Sequence, residues 1–199
     1  MAVTNTTNGT IINPAKSARL NTLAGATIKY GKVEVTAQLP EGDWLWPSIS
    51  MLPVKNTYGP WPASGEIDIA ESHGNNYTYP AGGNQEAIST IHLGPLPAYD
   101  SSWRYRKSKN ALHSTFSKAY HTFGLEWTDK YMFTYIDKRP IQILYTKFDG
   151  SFWQKGDYPV GTANGTAVED PWSSTGNPAT PFDQAFYLIL SVAVGKSRV

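Results

Sequence analysis

Glu66, Asp68 and Glu71 stand in the run Gly65-Glu66-Ile67-Asp68-Ile69-Ala70-Glu71-Ser72. The β-branched Ile67 and Ile69 alternate with acids, which predicts a strand carrying Glu66 and Asp68 on one face. Strict alternation sends Glu71 to the other face. One extra residue, most simply Ala70 in a bulge, returns it to the side of the other two. A helix serves worse, since at about 100° per residue Glu66 and Glu71 end about 140° apart. Carboxyls gathered this way resist ionising together, so at least one keeps its proton to higher pH. A protonated Glu beside an ionised Glu is the pair that cleaves a glycosidic bond with retention. One attacks the anomeric carbon and the other protonates the leaving oxygen, across about 5–5.5 Å. Four strand steps separate the two Cα atoms by about 13 Å, a gap that two long side chains leaning inward over a concave strand largely close. Asp68, between them, is placed to hydrogen-bond one Glu and hold its charge state. The bland readings of the same spacing are a solvated face or a cation site. Against them, the Ile residues put a buried face behind the acids. Trp44, Trp46 and Trp61 lie near in sequence and serve either as sugar-stacking surfaces or as core.

The elements that must hold this strand are themselves short and extended. Val33, Val35, Ala37 and Leu39 alternate with polar residues, which predicts a strand with one wet face. Phe123, Leu125 and Trp127 share a parity. Tyr131–Ile136 and Ile141–Tyr145 flank Asp137-Lys138-Arg139-Pro140, a predicted hairpin turn. Phe186–Val194 is apolar on both faces, as a central strand is. No segment carries helical spacing over helical length. The pattern predicts an all-β fold, two antiparallel sheets in a sandwich or jelly roll. The stretches 75–85 and 156–182 read as surface loops that rim a site.

The 199 residues suit one domain with a sizeable core. We read residues 1–16 as a polar N-terminal segment and 17–199 as a single domain. Lys plus Arg total 17 and Asp plus Glu 16, so the charge balance gives no reason to expect a nucleic-acid partner. Charged residues are 17% and aromatics 13%, and seven Trp with twelve Tyr exceed what a small core needs. No apolar run approaches the roughly 18 residues of a membrane span. The absence of Cys excludes disulfides and Cys-ligated metal. Residues 1–10 lack the apolar stretch of a secretory signal. N-x-[ST] sequons at Asn5, Asn8, Asn76 and Asn164 nevertheless lean toward a secreted history, with any signal lying outside this chain.

The run at 65–72 resembles the active-site strand of glycoside hydrolase family 16, in its bulged, laminarinase-like branch. Tyr30-Gly31-Lys32-Val33-Glu34-Val35, Leu45-Trp46-Pro47-Ser48-Ile49, Phe123-Gly124-Leu125-Glu126-Trp127, and Phe186-Tyr187-Leu188-Ile189-Leu190 with Ala193-Val194-Gly195 follow in the family's order. Glu71-Ser72-His73-Gly74-Asn75-Asn76 is most similar to fungal secreted members. The resemblance implies a β-jelly-roll with a concave glucan cleft and endo-hydrolysis of β-1,3 or mixed β-1,3/1,4 glucans. It further implies a monomer with a polysaccharide substrate, no cofactor and no membrane partner. By the same resemblance Glu66 is the nucleophile, Asp68 its assisting carboxylate and Glu71 the general acid/base. His92, Trp46, Trp127 and Arg19 bind substrate, and His73 stands at the rim.

Three positions depart from the family pattern. Ser50 stands where a second Trp is usual, which removes about 1–3 kcal/mol of stacking from one sugar subsite. Leu93 follows His92 where an aromatic is common, and Ser191 replaces a frequent Asn. Relatives also continue beyond Gly195 and begin before this chain does, so the jelly roll is expected to be partial at both ends. Two other functions stay open: a non-catalytic β-glucan-binding protein on the same scaffold, including an inactive truncated copy, and a structural sandwich with a cation at the acids. Binding relatives typically lose the catalytic acids, which this sequence retains.

Overall fold

The computed structural model describes residues 3–4, 11–12, 17–137, 142–159, 161–163 and 166–194. In chain order the strands are β1 (Val3–Thr4), β2 (Ile11–Ile12), β3 (Arg19–Asn21), β4 (Thr27–Ile28) and β5 (Gly31–Ala37). Then come β6 (Leu45–Pro53), β7 (Glu66–Glu71), β8 (Glu86–His92), β9 (Arg106–Asn110) and β10 (His121–Trp127). The last are β11 (Tyr131–Ile136), β12 (Gln142–Lys147), β13 (Gly161–Ala163), β14 (Thr166–Val168) and β15 (Phe186–Val194). Strands β3-β15-β6-β7-β8-β9 form the larger sheet in that order, with β4 also on β15, and β12-β11-β10-β5 form the smaller one. β1 pairs with β2 and β13 with β14 as two-stranded ribbons.

Alternation decides which side of each strand turns inward. Met51, Ile67, Ile69, Ala87 and Ile91 of the larger sheet meet Phe123, Leu125, Trp127, Met132 and Leu144 of the smaller one in a continuous core. Each such aliphatic side chain contributes about 1.5–3 kcal/mol when fully withdrawn from water. Burying the isoleucines of β7 in this layer turns its acids to the outer face of the larger sheet. β5 has the expected wet face, the predicted hairpin is β11 and β12, and β15 is an interior strand flanked by β6 and by β3 and β4. Lys138–Ile141 of that turn lie outside the described residues, as do Gly195–Val199.

Two features depart from the sequence reading. A short helix, α1 (Phe152–Gly156), forms where none is expected, capped by the Ser151 side chain and seated by the buried Phe152. The stretch 156–182 is also more than a surface loop. Its Trp172 and Phe182 are buried, and the Trp172 indole N–H donates to the Ala63 carbonyl at 2.8 Å. Large aromatics outweigh the turn-rich composition there. They brace the segment that enters β7.

Gly65 begins that entry at φ +80°, and a Cβ there would lie 2.8 Å from the Phe182 ring. Both the backbone conformation and the space demand glycine. We expect Gly65→Ala to lower the unfolding free energy by about 1–3 kcal/mol in urea melts. The same substitution at Gly25, which has open space around its Cβ position, serves as control.

Candidate active site

The bulge that collects the three acids lies in the middle of β7. Against β6, Ile67 pairs with Met51 and Asp68 with Ser50, then Ala70 pairs with Ile49 and Glu71 with Ser48, leaving Ile69 without a partner. Against β8, Asp68 opposes Thr90 and Glu71 opposes Ile88, so Ile69 and Ala70 together face Ser89. The irregularity is therefore shared by Ile69 and Ala70 instead of falling on Ala70 alone. Both are buried in the core, so the extra residue adds apolar contact and Glu71 regains the side of Glu66 and Asp68. The Ser89 hydroxyl donates to the Asp68 carbonyl at 2.7 Å and receives the Thr134 hydroxyl at 2.8 Å.

Glu66, Asp68 and Glu71 line one cavity of about 370 Å³ with Arg19, Trp46, His92 and a floor that includes Ser48, Ser50 and Ser191. Each acid has its own partner. The Trp61 indole N–H donates to Glu66 Oε2 at 2.7 Å, and the Trp46 indole N–H donates to Glu71 Oε1 at 3.2 Å. His92 Nε2 lies 3.1 Å from Asp68 Oδ2. On its other side His92 Nδ1 lies 2.7 Å from Asp100 Oδ2.

Burial and the neighbouring Asp68 charge raise the Glu66 carboxyl, partly opposed by His92, Trp61 and Arg19. Burial again leads at Glu71, where Asp68 and Glu66 add to it and push that carboxyl up to about 7. For His92, burial works against the imidazolium, but the hydrogen bonds and charges of Asp100 and Asp68 outweigh it and lift the ring to about 10. The groove therefore holds a cation among carboxylates and one glutamic acid that keeps its proton near neutrality.

Two further cavities continue the groove. Beyond Glu66 lies one of about 590 Å³ lined by Arg19, Asn56, Trp61 and Tyr187. Beyond Glu71 lies one of about 240 Å³ lined by Trp44, Trp46, His73, Tyr79 and Arg106. Trp44, Trp46 and Trp61 are all substantially exposed, so they are surfaces of the groove. The stretch 75–85 does rim it, through Asn75, Tyr79 and Ala81.

One expected binding residue lies elsewhere. Trp127 is buried on β10 in the smaller sheet, edge-on to Tyr30 and Phe186 at centroid distances of 5.3 and 5.4 Å. It shares the inward parity of Phe123 and Leu125 and belongs to the core. Sequence reading also missed Asp100, Tyr79 and Arg106. Asp100 sits between the 3-10 turns Pro97–Tyr99 and Ser102–Arg104, where periodicity carries no signal.

Two antiparallel sheets with a carboxylate-lined groove across the larger one are the architecture of the jelly-roll glycoside hydrolases. The sequence model described as "Glycosyl hydrolases family 16" matches residues 2–184, and the chain belongs to that family. It is 43% identical over 187 residues to the "Beta-1,3-glucan-binding protein" of Penaeus monodon, covering 93% of this chain and 48% of that protein. It is 35% identical over 188 residues to the "Glucan endo-1,3-beta-glucosidase" of Cryptopygus antarcticus, covering 92% of this chain and 58% of that protein. The chain thus spans about half the length of these curated relatives. Among solved structures it is similar to the catalytic domain of an endo-1,3-beta-glucanase (laminarinase) from Thermotoga petrophila. The TM-score is 0.64 at 27% identity, over 90% of this chain and 58% of that one.

The raised Glu71 carboxyl has a stability consequence with a definite sign. Its folded-state value of about 7 exceeds its ordinary value of 4.5, so ionising it opposes folding. That penalty is absent below about pH 4, grows with rising pH and is complete above about pH 7. Glu71→Gln removes the charge and keeps an acceptor for Trp46. It should raise the unfolding free energy at pH 8 by about 1–3 kcal/mol, and thermal melts should show the gain fading toward pH 4.

Proposed function

We propose that this chain carries the active site of a retaining endo-β-glucanase acting on β-1,3 or mixed β-1,3/1,4 glucans. The observation that carries the reading is the pair Glu66 and Glu71 on one face of β7, with Glu71 protonated near neutral pH. In the first step Glu66 attacks the anomeric carbon from below the sugar ring. Glu71 gives its proton to the departing glycosidic oxygen, which leaves a covalent glycosyl-enzyme. In the second step Glu71, now ionised, takes a proton from water. The hydroxide attacks the same carbon and Glu66 leaves, restoring the original anomer and both carboxyls. Asp68 sits between them with its charge balanced by His92. Exposed Trp44, Trp46 and Trp61 supply flat apolar surfaces to sugar rings, and Arg19 supplies donors to their hydroxyls.

A β-glucan-binding role without cleavage is the second reading. It is favoured by the 43% identity to the Penaeus monodon binding protein and by Ser50 in the groove floor. The retained acids weigh toward hydrolysis. Both readings fit a glucan encountered outside the cell. Asn76 lies exposed in its sequon and accepts from the Thr78 backbone N–H and hydroxyl at 3.0 and 2.6 Å, which leaves its amide nitrogen available for a glycan. Asn5, Asn8 and Asn164 lie outside the described residues.

Reducing-sugar release from laminarin tests the proposal. We expect Glu66→Gln and Glu71→Gln each to lower kcat by more than about 10³-fold while far-UV circular dichroism stays unchanged. Cleavage should fall as pH rises through about 7, because Glu71 must enter the first step protonated. Unchanged hydrolysis in both variants rejects the assignment. Glucan pull-down without sugar release from the native chain favours the binding reading.

A further inference from the structure

Asp100 stands behind the groove, in the loop between two 3-10 turns, and reaches it only through His92. Its two oxygens are fully committed. Oδ2 is 2.7 Å from His92 Nδ1, while Oδ1 accepts the backbone N–H groups of Leu93 at 3.2 Å and Ser102 at 3.1 Å. Three donors on one half-buried carboxyl fit the anion, and Asp100 is held below the usual carboxylate range: burial opposes this, but His92 and Ser102 outweigh it. Nδ1 of His92 must then carry a proton. Nε2 lies 3.1 Å from the nearly buried Asp68, where a second N–H donates to a carboxyl oxygen and makes the ring a cation.

We propose that Asp100 is a positioning residue that keeps His92 doubly protonated and aimed at Asp68, so that a fixed cation sits beneath the two glutamates. The proposal rests on the hydrolase reading of this groove. His92 faces Glu66 directly across the β7–β8 ladder. Its ring also lies 5.6 Å from that of Trp61, the donor to Glu66. The charged groups around it are Glu66, Asp68 and Glu71 on β7, Asp100 on its own loop, and Arg19 on β3, the other cation of the cavity. His92 lowers the carboxyls of both Glu66 and Glu71. Without its charge both would ionise at higher pH, and Glu66 would lose nucleophile in the range where Glu71 is still an acid.

Asp100→Asn separates this role from a merely structural one. Its amide oxygen can keep the Leu93 and Ser102 N–H groups, but its NH₂ then faces Nδ1, which must accept and so forces the neutral ring. In ¹⁵N-histidine spectra, with His92 assigned by its absence in His92→Gln, the native ring should stay doubly protonated beyond pH 8. In D100N it should turn neutral by about pH 7. Both limbs of the pH profile for laminarin cleavage should move up by about one unit. Asp100→Ser provides a second charge-free side chain should D100N fail to fold. A native His92 already neutral at pH 7 overturns the proposal, as does a variant whose ring or pH profile titrates like the native one. A native chain that holds the cation yet releases no sugar refutes the hydrolase reading and leaves the His92–Asp100 pairing standing.

Discussion

Three carboxyls forced onto one face of a six-residue strand repel one another, and the surrounding structure is arranged to bear that repulsion. The bulge at Ile69–Ala70 creates the crowding by trading a regular ladder for two inward apolar side chains. Relief comes first from His92, which pairs with Asp68 and lowers both glutamates, and then from an indole N–H at Glu66 and another at Glu71. Separate indole donors and unequal neighbours let the two glutamates differ.

The bulge is itself held by its neighbour β8, and through it is tied to the opposite sheet. At the irregular step the Asp68 carbonyl takes the Ser89 hydroxyl, which in turn takes the Thr134 hydroxyl. Thr134 belongs to β11 of the smaller sheet and is buried. A chain of two hydroxyls thus crosses an otherwise apolar interlayer at the point where the ladder fails. An unpaired carbonyl there would cost about 1–3 kcal/mol. Ser89 of the neighbouring β8 satisfies it, and the Thr134 bond ties that serine to the smaller sheet and so steadies the acids above it.

How much of this was legible follows from what periodicity can encode. Alternation around Ile67 and Ile69 showed which face is buried, and the count from Glu66 to Glu71 required one extra residue. Its sharing between Ile69 and Ala70 depends on two neighbouring strands at once, which no local pattern records. Trp127 shows the opposite failure. Its parity with Phe123 and Leu125 already pointed inward, and the family resemblance overrode that signal. Asp100 was illegible because it acts through a side chain eight residues earlier, across turns with no repeat. Trp172 and Phe182 were hidden by the Gly, Pro and Ser around them, although two large aromatics in a loop need a core to enter.

The two glutamates also have unequal surroundings. Both are buried, and both feel Asp68. Glu66 has the shorter indole bond, 2.7 against 3.2 Å, and it lies opposite His92 in the ladder. Arg19 lowers Glu66, and Glu71 is raised further by Glu66 itself. His92 and the shorter indole bond thus stand at the Glu66 end, while Arg106 and His73 line the cavity beyond Glu71. The charge of Glu66 helps Glu71 keep its proton up to about pH 7.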